Sequence, residues 1–413
     1  MPSRVYAIAT MDTKGVELEY VAQRLAATGL SVATVDVGTM NPPVCAPVID
    51  RAQVARCHPS GPDAVLNQSD RGQAVAAMSA ALEIFMRQEH EAGRVSSAIG
   101  LGGTGGTSLI APAMRALPIG MPKILVSTVA GGNVAAYVGS SDLVMFPSIV
   151  DVAGLNRVSR KIFANAAGAL AGMLAQQADQ PGSDRPVIAM TMFGVTTPCV
   201  DAVRKLLEAR GFDCLVFHAT GVGGQSMEKL VASGLIEGVL DITTTEVADQ
   251  IVGGIFPAGP ARFEAIVAAG IPYVVSLGAL DMVNFAARES VPPQFRDRRL
   301  HIHNPNITLM RTTADENRQF AQWMAVRLNR ATTPIEILIP QLGVSALDAV
   351  GQPFYDPLAD KALFDELESS IIPTHGRVVR RLDLHINDAD FAKALAAAFE
   401  KCWTAAHAGS LNK

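Results

Sequence analysis

A run of glycine and threonine is the part of this sequence whose residue types and spacing most favour a chemical role. The run consists of Gly102, Gly103, Thr104, Gly105, Gly106 and Thr107. Glycine has no Cβ to obstruct a ligand, and a glycine-rich turn that leads into a helix directs several backbone N–H groups toward one point. Phosphate and carboxylate groups bind to such an arrangement at a helix N-terminus. The alternative is a tight turn between a strand and a helix in which glycine serves only packing.

The run matches neither of two familiar phosphate-binding patterns. It is not a P-loop, because no Gly-Lys-Ser or Gly-Lys-Thr ends it. A G-x-G-x-x-G pattern that starts at Gly103 requires glycine at position 108, where the residue is Ser108. The sequence therefore favours an anion site without specifying the anion.

Two other polar turns are expected at the same edge of the sheet. One follows a predicted strand at 5–10 and contains Asp12, Thr13 and Lys14; the other follows a predicted strand at 123–128. Ligands of open parallel sheets bind beyond the carboxyl ends of the strands. Lys14 is the only cation in the three turns, so it is either a phosphate partner or an ordinary solvated lysine. The turn after 123–128 supplies the candidate residues Ser127, Gly131, Gly132 and Asn133.

Asp36 ends the second predicted strand, 31–37, and completes the set of candidate cofactor-binding residues. In dinucleotide-binding folds an acid at this place holds a ribose hydroxyl. An equally good interpretation is an aspartate that caps the next turn. The first turn between strand and helix, Met-Asp-Thr-Lys, is not glycine-rich, which counts against an NAD(P)-dependent oxidoreductase.

The second half of the chain places polar side chains after its own predicted strands. Cys199 is either a low-pKa thiol at a helix start or a small buried residue. His218 is either a general base or a structural histidine. Asp241, Glu246 and Asp281 carry the carboxylates that Mg²⁺ prefers, without a fixed spacing. No catalytic residue is assigned, and the weak candidates are Asp201, His218, Asp241 and Glu246.

The order of apolar and amphipathic segments predicts an α/β protein. Each half begins with a strand, a polar turn, a helix closed by glycine and a second strand, which is a βαβ start with parallel strands. A polar segment at 180–186 separates the halves. We therefore expect two Rossmann-like domains, residues 1–180 and 181–413, with mostly parallel sheets and a cleft between them. Two segments do not fit this alternation: 38–68 is expected to be a long loop, and 342–367 is a candidate lid or oligomer contact.

Composition limits the partners and the compartment. The 413 residues carry a net charge of −5, which does not favour nucleic acid or an anionic membrane surface. The five cysteines show no C-x-x-C spacing, as expected in a reducing cytoplasm. No stretch approaches the roughly 18 apolar residues of a membrane-spanning helix. The sequence predicts a cytoplasmic globular protein with no nucleic-acid and no membrane partner.

Several long motifs, spread in order over nearly the whole chain, resemble one protein family. They are similar to those of the Tm-one-like ATP-binding family, which includes a plant inhibitor of tomato mosaic virus replication, and the chain resembles the bacterial members. The motifs are ATMDTKGVELEY at 9–20, GLGGTGGT at 100–107, VSTVAGGN at 126–133, FPSIVDVAGLNRVSR at 146–160, MTMFGVTTPCVD at 190–201 and PFYDPLADKALFDEL at 353–367.

The resemblance implies two α/β domains and the binding of ATP with Mg²⁺ by the N-terminal, Rossmann-like half. By motif match it carries the ATP contacts onto the turn 12–14, the run 102–107 and the turn 131–133. The antiviral role of the plant member is not carried over, because no feature of this chain indicates it.

These features predict a nucleotide-binding protein. The first hypothesis is an ATP- and Mg²⁺-dependent enzyme that transfers a phosphoryl or other group to an unidentified small molecule, since such transfer requires positioning, cations and hydrogen-bond donors. The alternative is a nucleotide-binding regulatory or interaction protein without turnover. A homo-oligomer is expected, because cytosolic enzymes of this kind often pair.

Overall fold

The computed structural model describes residues 3–176 and 185–407 of the chain. These residues belong to two compact units, Met1–Pro181 and Gly182–Lys413, and each unit has its own parallel sheet. The segment 180–186, at which the sequence predicts a domain boundary, lies largely outside the described residues.

The first unit alternates strands with helices. Its strands are β1 (Arg4–Ala9), β2 (Val32–Asp36), β3 (Val95–Gly102), β4 (Lys123–Ser127) and β5 (Val144–Pro147). Its helices are α1 (Met11–Ala26), α2 (Arg51–Ala55), α3 (Asp63–Leu66), α4 (Arg71–Glu91), α5 (Thr104–Ala116), α6 (Ala135–Val138) and α7 (Arg157–Ala175). The strands lie in the order β2-β1-β3-β4-β5, and every neighbouring pair is parallel.

Helices cover both faces of this sheet, because successive strand residues point to opposite faces and both sets are apolar. On one face, Tyr6 and Ile8 of β1 belong to a core that includes apolar side chains of α4 and α5. On the other face, Val5 and Ala7 belong to a core that includes side chains of α1 and α7. The near-continuous apolar run of β1 is therefore the pattern of a central parallel strand.

α4 spans 21 residues and is the longest helix of the first unit. Its apolar side chains Met78, Leu82 and Phe85 belong to the core on one face of the sheet. In residues 3–176 and 185–407, no helix is both long enough and apolar enough to cross a membrane.

The second unit repeats the alternation and adds a small sheet. Its strands are β6 (Val187–Met192), β7 (Asp213–His218), β8 (Gly238–Thr243), β9 (Tyr273–Gly278), β10 (Met282–Phe285), β11 (Leu300–Asn304), β12 (Ile307–Arg311), β13 (Ile335–Pro340) and β14 (Arg377–Leu382). Its helices are α8 (Thr197–Glu208), α9 (Val222–Ala232), α10 (Glu246–Val252), α11 (Glu264–Ala269), α12 (Ala314–Leu328), α13 (Pro357–Ser370) and α14 (Ala389–His407).

The main sheet of the second unit has the order β14-β13-β9-β8-β6-β7, with all pairs parallel. In both units the first strand lies between the second and the third, so the two sheets share their initial topology. These parallel sheets confirm the fold class predicted from the sequence. The small antiparallel sheet β10-β12-β11 is an addition that the sequence did not predict, and a turn at 305–306 joins β11 to β12.

The two segments that interrupt the alternation of strands and helices both contain helical residues. Residues 38–68 contain the short helices α2 and α3, and α2 begins with a capping box between Asp50 and Gln53. The expectation of one continuous loop there was wrong, because local side-chain capping satisfies the first N–H groups of a short helix. The segment 342–367 includes the start of α13, where the Asp356 side chain accepts a hydrogen bond from the first turn.

Candidate functional site

A cavity of about 470 Å³ lies at the carboxyl ends of β1 and β3. β1 lies between β2 and β3, so the chain winds away from β1 in both directions and the strand order reverses there. Ligands of doubly wound sheets bind at this reversal. We call it the glycine-run cavity, and it is lined by Thr10, Asp12, Thr13, Lys14, Thr39, Met40, Asn41, Arg71, Val75, Gly103, Thr104, Gly105, Gly106 and Leu109.

The glycines of the run have different roles. A Cβ on Gly102 would lie 2.8 Å from backbone atoms of Gly106 and Thr107, so glycine at this position lets β3 pack against the first turn of α5. A Cβ on Gly105 would meet nothing within 4 Å, and one on Gly103 or Gly106 would meet a single atom, at 3.9 or 3.7 Å. None of these glycines has a positive φ. Packing explains the glycine at position 102, whereas neither packing nor backbone conformation explains the three glycines that line the cavity.

The first turn of α5 supplies hydrogen-bond donors to this cavity. The helix has 13 residues, and its N-cap residue, Gly103, has no side chain to accept from the first N–H groups. Those N–H groups have no partner within the helix and carry the positive end of its dipole. They therefore form an arrangement that stabilises an anion.

Two cations line the cavity without a carboxylate partner. In the described part of the chain, neither Lys14 nor Arg71 forms an ion pair. The sequence indicated Lys14 but not Arg71, because nothing in the segment before α4 indicates that this helix starts at the cavity. One signal was present: Asp70 and Gln73 have the pattern of a helix start, and a cation in the first turn opposes the helix dipole.

Asp36 holds the turns after β1 and β2 together instead of facing the cavity. Its Oδ1 accepts hydrogen bonds from the backbone N–H groups of Met11, at 3.0 Å, and Gly38, at 2.8 Å. The side chain is fully buried, and this burial raises the pKa of Asp36. The predicted ribose contact has no support in this geometry. Asp12 is close by but does line the cavity, where its carboxylate accepts from the N–H of Asn41 at 3.3 Å.

Thr107 and Ser127 are also structural, which differs from the ligand contacts predicted for them. Their hydroxyl oxygens are 2.6 Å apart and both residues are fully buried. The Thr107 hydroxyl donates to the carbonyl of Gly103 at 2.9 Å, and Ser127 Oγ accepts from the N–H of Val129 at 3.1 Å. The hydroxyl pair fixes the turn after β4 against the glycine run.

A second cavity, of about 410 Å³, lies at the carboxyl ends of β4 and β5, and we call it the β4–β5 cavity. Ser127 and Gly131 line it together with residues 147–151. Gly132 and Asn133 line neither cavity, and the Asn133 side chain accepts from the backbone at the start of α6 at 3.1 Å. The three turns expected to form one site therefore belong to two neighbouring cavities.

Two weak catalytic candidates of the second unit, Asp241 and Glu246, are buried in an ion cluster around Arg262. The guanidinium nitrogens lie 2.7 Å from Asp241, 3.1 Å from Glu246 and 3.0 Å from Glu228. The hydroxyl of Tyr273 donates to Asp241 at 3.0 Å. Burial raises the pKa of Glu228 and of Glu246, and the charge of Arg262 opposes that rise. The geometry favours a structural role for both candidates, because their carboxylates are enclosed and engaged.

Asp281 lies in a different cluster, so it does not join the other two candidate Mg²⁺ ligands. It is fully buried and accepts from the hydroxyl of Ser345 at 2.8 Å. Burial and the nearby carboxylate of Asp348 raise the pKa of Asp281 to about 7, while Arg311 acts in the opposite direction. Over the residues that the structure describes, no group of three or more His, Cys, Asp or Glu is arranged to hold a metal ion.

The remaining candidates stand apart from one another. Burial raises the pKa of Cys199 to about 12, which favours the small buried residue over the reactive thiol. His218 ends β7 with its ring centroid 5.3 Å from that of Phe193, and burial lowers its pKa. Asp201 pairs with Arg204 of the same helix at 3.4 Å. No hydrogen bond joins His218 to Asp201 in the described residues, so they do not form an acid–base pair here.

These features define a class: a protein of two doubly wound α/β units, the first of which has a cationic, glycine-lined cavity where its strand order reverses. Comparison with family models identifies the family within this class. The uncharacterised protein family UPF0261 matches through its N-terminal domain over residues 3–179 and through its C-terminal domain over residues 185–403. The chain belongs to the UPF0261 family.

Relatives in bacteria and in a plant support this membership and confirm the resemblance stated from the motifs. The chain is 52% identical over 395 residues to a UPF0261 protein of Mesorhizobium japonicum, covering 95% of this chain and 98% of the relative. It is 44% identical over 416 residues to the ToMV resistance protein Tm-1(GCR237) of Solanum lycopersicum, covering 96% of this chain and 55% of the tomato protein.

Among solved structures, the glycosyltransferase SsfS6 of Streptomyces sp. SF2575, complexed with thymidine diphosphate, matches with a TM-score of 0.17 and 14% identity. The match covers 66% of this chain and 81% of that chain. At that score the likeness supports no statement about this chain.

Replacing Gly102 by alanine is expected to destabilise the first unit by about 1–3 kcal/mol, because the new Cβ overpacks the contact with α5. Gly105→Ala is the matched control. It is expected to leave the stability unchanged or to raise it by up to about 1 kcal/mol, because alanine favours a helix and the Cβ meets open space. Urea unfolding followed by circular dichroism measures both. Equal losses would contradict the different roles assigned to the two glycines.

Arg262→Met is expected to destabilise the second unit by about 3–5 kcal/mol, because it leaves three buried carboxylates without their cation. Arg330→Met is the control, since the side chains of its ion pair with Glu264 are 60% and 45% exposed and such pairs contribute less than about 1 kcal/mol. Denaturant unfolding of the full chain measures both losses. A loss no larger for Arg262→Met than for Arg330→Met would show that the cluster does not depend on its arginine.

Stability should depend on pH through the carboxylates around Arg311. Burial raises the pKa of Asp281 to about 7 and that of Asp360 to about 8, whereas both are near 4 in an unfolded chain. The unfolded state therefore releases protons that the folded state retains, and this contribution lowers stability as the pH rises from about 4 to about 8. The measurement is the melting temperature of the wild type and of Asp348→Asn across that pH range, and the difference between them isolates the contribution of these carboxylates. The variant lacks a neighbouring charge and is expected to lose less stability; an equal or steeper loss would contradict the assignment.

Proposed function

We propose that the first unit binds ATP in the glycine-run cavity and that the protein uses it, with Mg²⁺, in a reaction on a small molecule. One observation carries the proposal: the first-turn N–H groups of α5, Lys14 and Arg71 converge on a single cavity at the reversal of strand order. These groups are hydrogen-bond donors and cations, so they favour an anionic ligand. A volume of about 470 Å³ is ordinary for a small-molecule site.

The residues of the cavity suit a chain of phosphate groups. The space beside Gly103, Gly105 and Gly106 that a Cβ would fill allows phosphate oxygens to approach the backbone. Lys14 and Arg71 bring two positive charges to those oxygens. Geometry supports an anion of this kind, and the family resemblance is the reason for naming ATP.

Asp12 is the candidate for Mg²⁺ in this cavity, because its carboxylate is the acid that lines it in the described first unit. Mg²⁺ in nucleotide sites usually takes one or two carboxylates together with phosphate oxygens and waters. Such a site needs no preformed cluster of protein ligands.

ATP bound here would supply a transferable γ-phosphoryl group. The contribution of the chain is to position the phosphates and to stabilise the negative charge on their oxygens, which is the main requirement of phosphoryl transfer. The N–H groups of α5 hold the phosphate oxygens from one side. Lys14, in the turn after β1, and Arg71, at the start of α4, supply the cations.

A nucleotide-binding regulator without turnover is the second candidate. It is favoured by the ion pairs that engage Asp241 and Glu246, which leave the proposed enzyme without an assigned catalytic carboxylate in the second unit. Formation of ADP from ATP in the presence of a metabolite panel separates the two candidates. An enzyme forms ADP with at least one metabolite, whereas a regulator binds ATP and forms none. NAD(P)-dependent oxidoreduction is less favoured, because Asp36 is buried.

Lys14→Gln and Arg71→Gln are each expected to weaken ATP binding by about 10- to 100-fold, since a hydrogen bond to a charged group contributes about 1.5–3 kcal/mol. Isothermal titration calorimetry with Mg²⁺ measures the affinity. Lys161→Gln and Arg24→Gln remove exposed cations of the same unit that do not line the cavity, and they are expected to leave the affinity unchanged. Gly105→Ala is expected to weaken binding without loss of stability. Unchanged affinity in all three cavity variants would refute the proposed site.

A further inference from the structure

The β4–β5 cavity is adjacent to the glycine-run cavity along the same sheet edge. The N–H of Thr128, which lines the β4–β5 cavity, donates to the carbonyl of Gly102 at 3.3 Å. A Cβ on Gly103, which lines the other cavity, would lie 3.9 Å from the hydroxyl of Thr128. The two cavities therefore share the wall formed by Thr128 and the start of the glycine run.

The loop after β5 forms a wall of this cavity and is anchored by hydrogen bonds at both ends. The N–H of Ser148 donates to the carbonyl of Ser127 at 3.1 Å, which fixes the start of the loop to β4. Further along, the N–H of Gly154 donates to Glu17 of α1 at 2.5 Å, and Glu17 is only 3% exposed. Asn156 then caps α7 through a capping box. Anchors at both ends make this loop a preformed surface.

Ile149, at the centre of this loop, is held in a conformation that its side chain disfavours. Its φ is 65°, in the left-handed region, where a β-branched residue is an outlier. The N–H of Val150 donates across it to the carbonyl of Ser148 at 2.7 Å, the pattern of the rare and strained γ-turn of positive φ. The hydroxyl of Ser148 donates to the carbonyl of Val150 at 2.6 Å and holds the turn closed. The Ile149 side chain is 73% exposed, so its own packing does not explain the strain. Strain of this kind is concentrated at ligand sites.

The charge of the β4–β5 cavity is opposite to that of the glycine-run cavity. Asp151 is the charged residue that lines it, is exposed, and forms no ion pair with any described residue. Of the hydroxyls on this wall, those of Ser127 and Ser148 are engaged within the protein, whereas that of the exposed Thr128 forms no hydrogen bond with a described residue. A carboxylate among hydroxyls accepts hydrogen bonds and repels an anion. It therefore favours a neutral or positively charged ligand with hydroxyl or amine donors.

We propose that the β4–β5 cavity binds the second ligand of this protein, a small neutral or cationic molecule with hydroxyl or amine groups, beside the phosphates of the nucleotide. Asp151 accepts a hydrogen bond from that ligand, and the strained turn at Ile149 holds the rim of the cavity in place. The proposal rests on the proposed function for the identity of the first ligand. It places the second ligand in the first unit.

The test is a thermal-shift screen of the full-length protein, with and without ATP and Mg²⁺. The probes are glucose, glucosamine, glycerol and ethanolamine at millimolar concentration, with glucuronate and lactate as matched acids. We expect at least one neutral or cationic probe to raise the melting temperature and the acids to leave it unchanged. In Asp151→Asn that shift is expected to fall by at least half. Glu91→Gln, which removes an exposed carboxylate at the far end of α4, is expected to retain it.

Ile149→Gly tests the rim separately. Because glycine adopts a positive φ without strain, the melting temperature of this variant is expected to stay the same or to rise, while the shift produced by the probe is expected to fall. The inference is overturned if no neutral or cationic probe shifts the wild type, if the acids bind instead, or if the shift survives in Asp151→Asn or Ile149→Gly. Failure of the proposed function has a different signature: the wild type does not bind ATP, or Lys14→Gln binds it normally, whatever the probes show.

Discussion

The close approach of Gly102 to the first turn of α5 is the contact on which the candidate site depends. A Cβ at position 102 would lie only 2.8 Å from the backbone of Gly106 and Thr107. Only glycine therefore lets the helix begin so near the end of β3. That contact places the N–H groups of α5 at the reversal of strand order, and the buried hydroxyl pair of Thr107 and Ser127 holds the next turn against it. The remaining glycines are then free to leave space for a ligand. Within this short run, Gly102 serves packing and the other glycines leave space at the cavity.

The charges around Arg262 and Arg311 are arranged differently from those of the glycine-run cavity. In the second unit several buried carboxylates are gathered around Arg262 and Arg311, where each arginine faces more than one acid. Such clusters are stable only while their cations remain, because an unpaired buried charge is costly. In the first unit Lys14 and Arg71 line a cavity, and no carboxylate of the described residues is paired to either. Paired charges hold a structure together, whereas unpaired cations beside free N–H groups are available to a ligand.

The two units share their initial topology but differ where the strand order reverses: the first has a cavity between the strands, whereas in the second, side chains meet at that place. In the first unit, small residues and open backbone leave a cavity between the ends of β1 and β3. In the second unit, the hydroxyls of Thr196 and Thr243 are 2.7 Å apart and that of Thr191 donates to Asp241 at 2.7 Å, so side chains meet directly between β6 and β8. All three threonines are fully buried. A shared fold therefore does not imply a shared site, since side-chain size and hydrogen bonding decide whether the reversal is open.

The sequence by itself determined the parallel α/β units, the helix that follows the glycine run and the turns at the carboxyl ends of the strands, because apolar periodicity and turn residues are local signals. It also identified Lys14 and the glycines of the cavity. It failed where partners are distant in the chain. Arg71 lines the cavity because α4 starts there, far along the chain from the turn after β1. Asp36 does not line it, and its carboxylate accepts the N–H groups of Met11 and Gly38 instead. Only the tertiary structure decided which turns share a cavity and which acids pair with an arginine. Both depend on distances between residues that are far apart in the sequence.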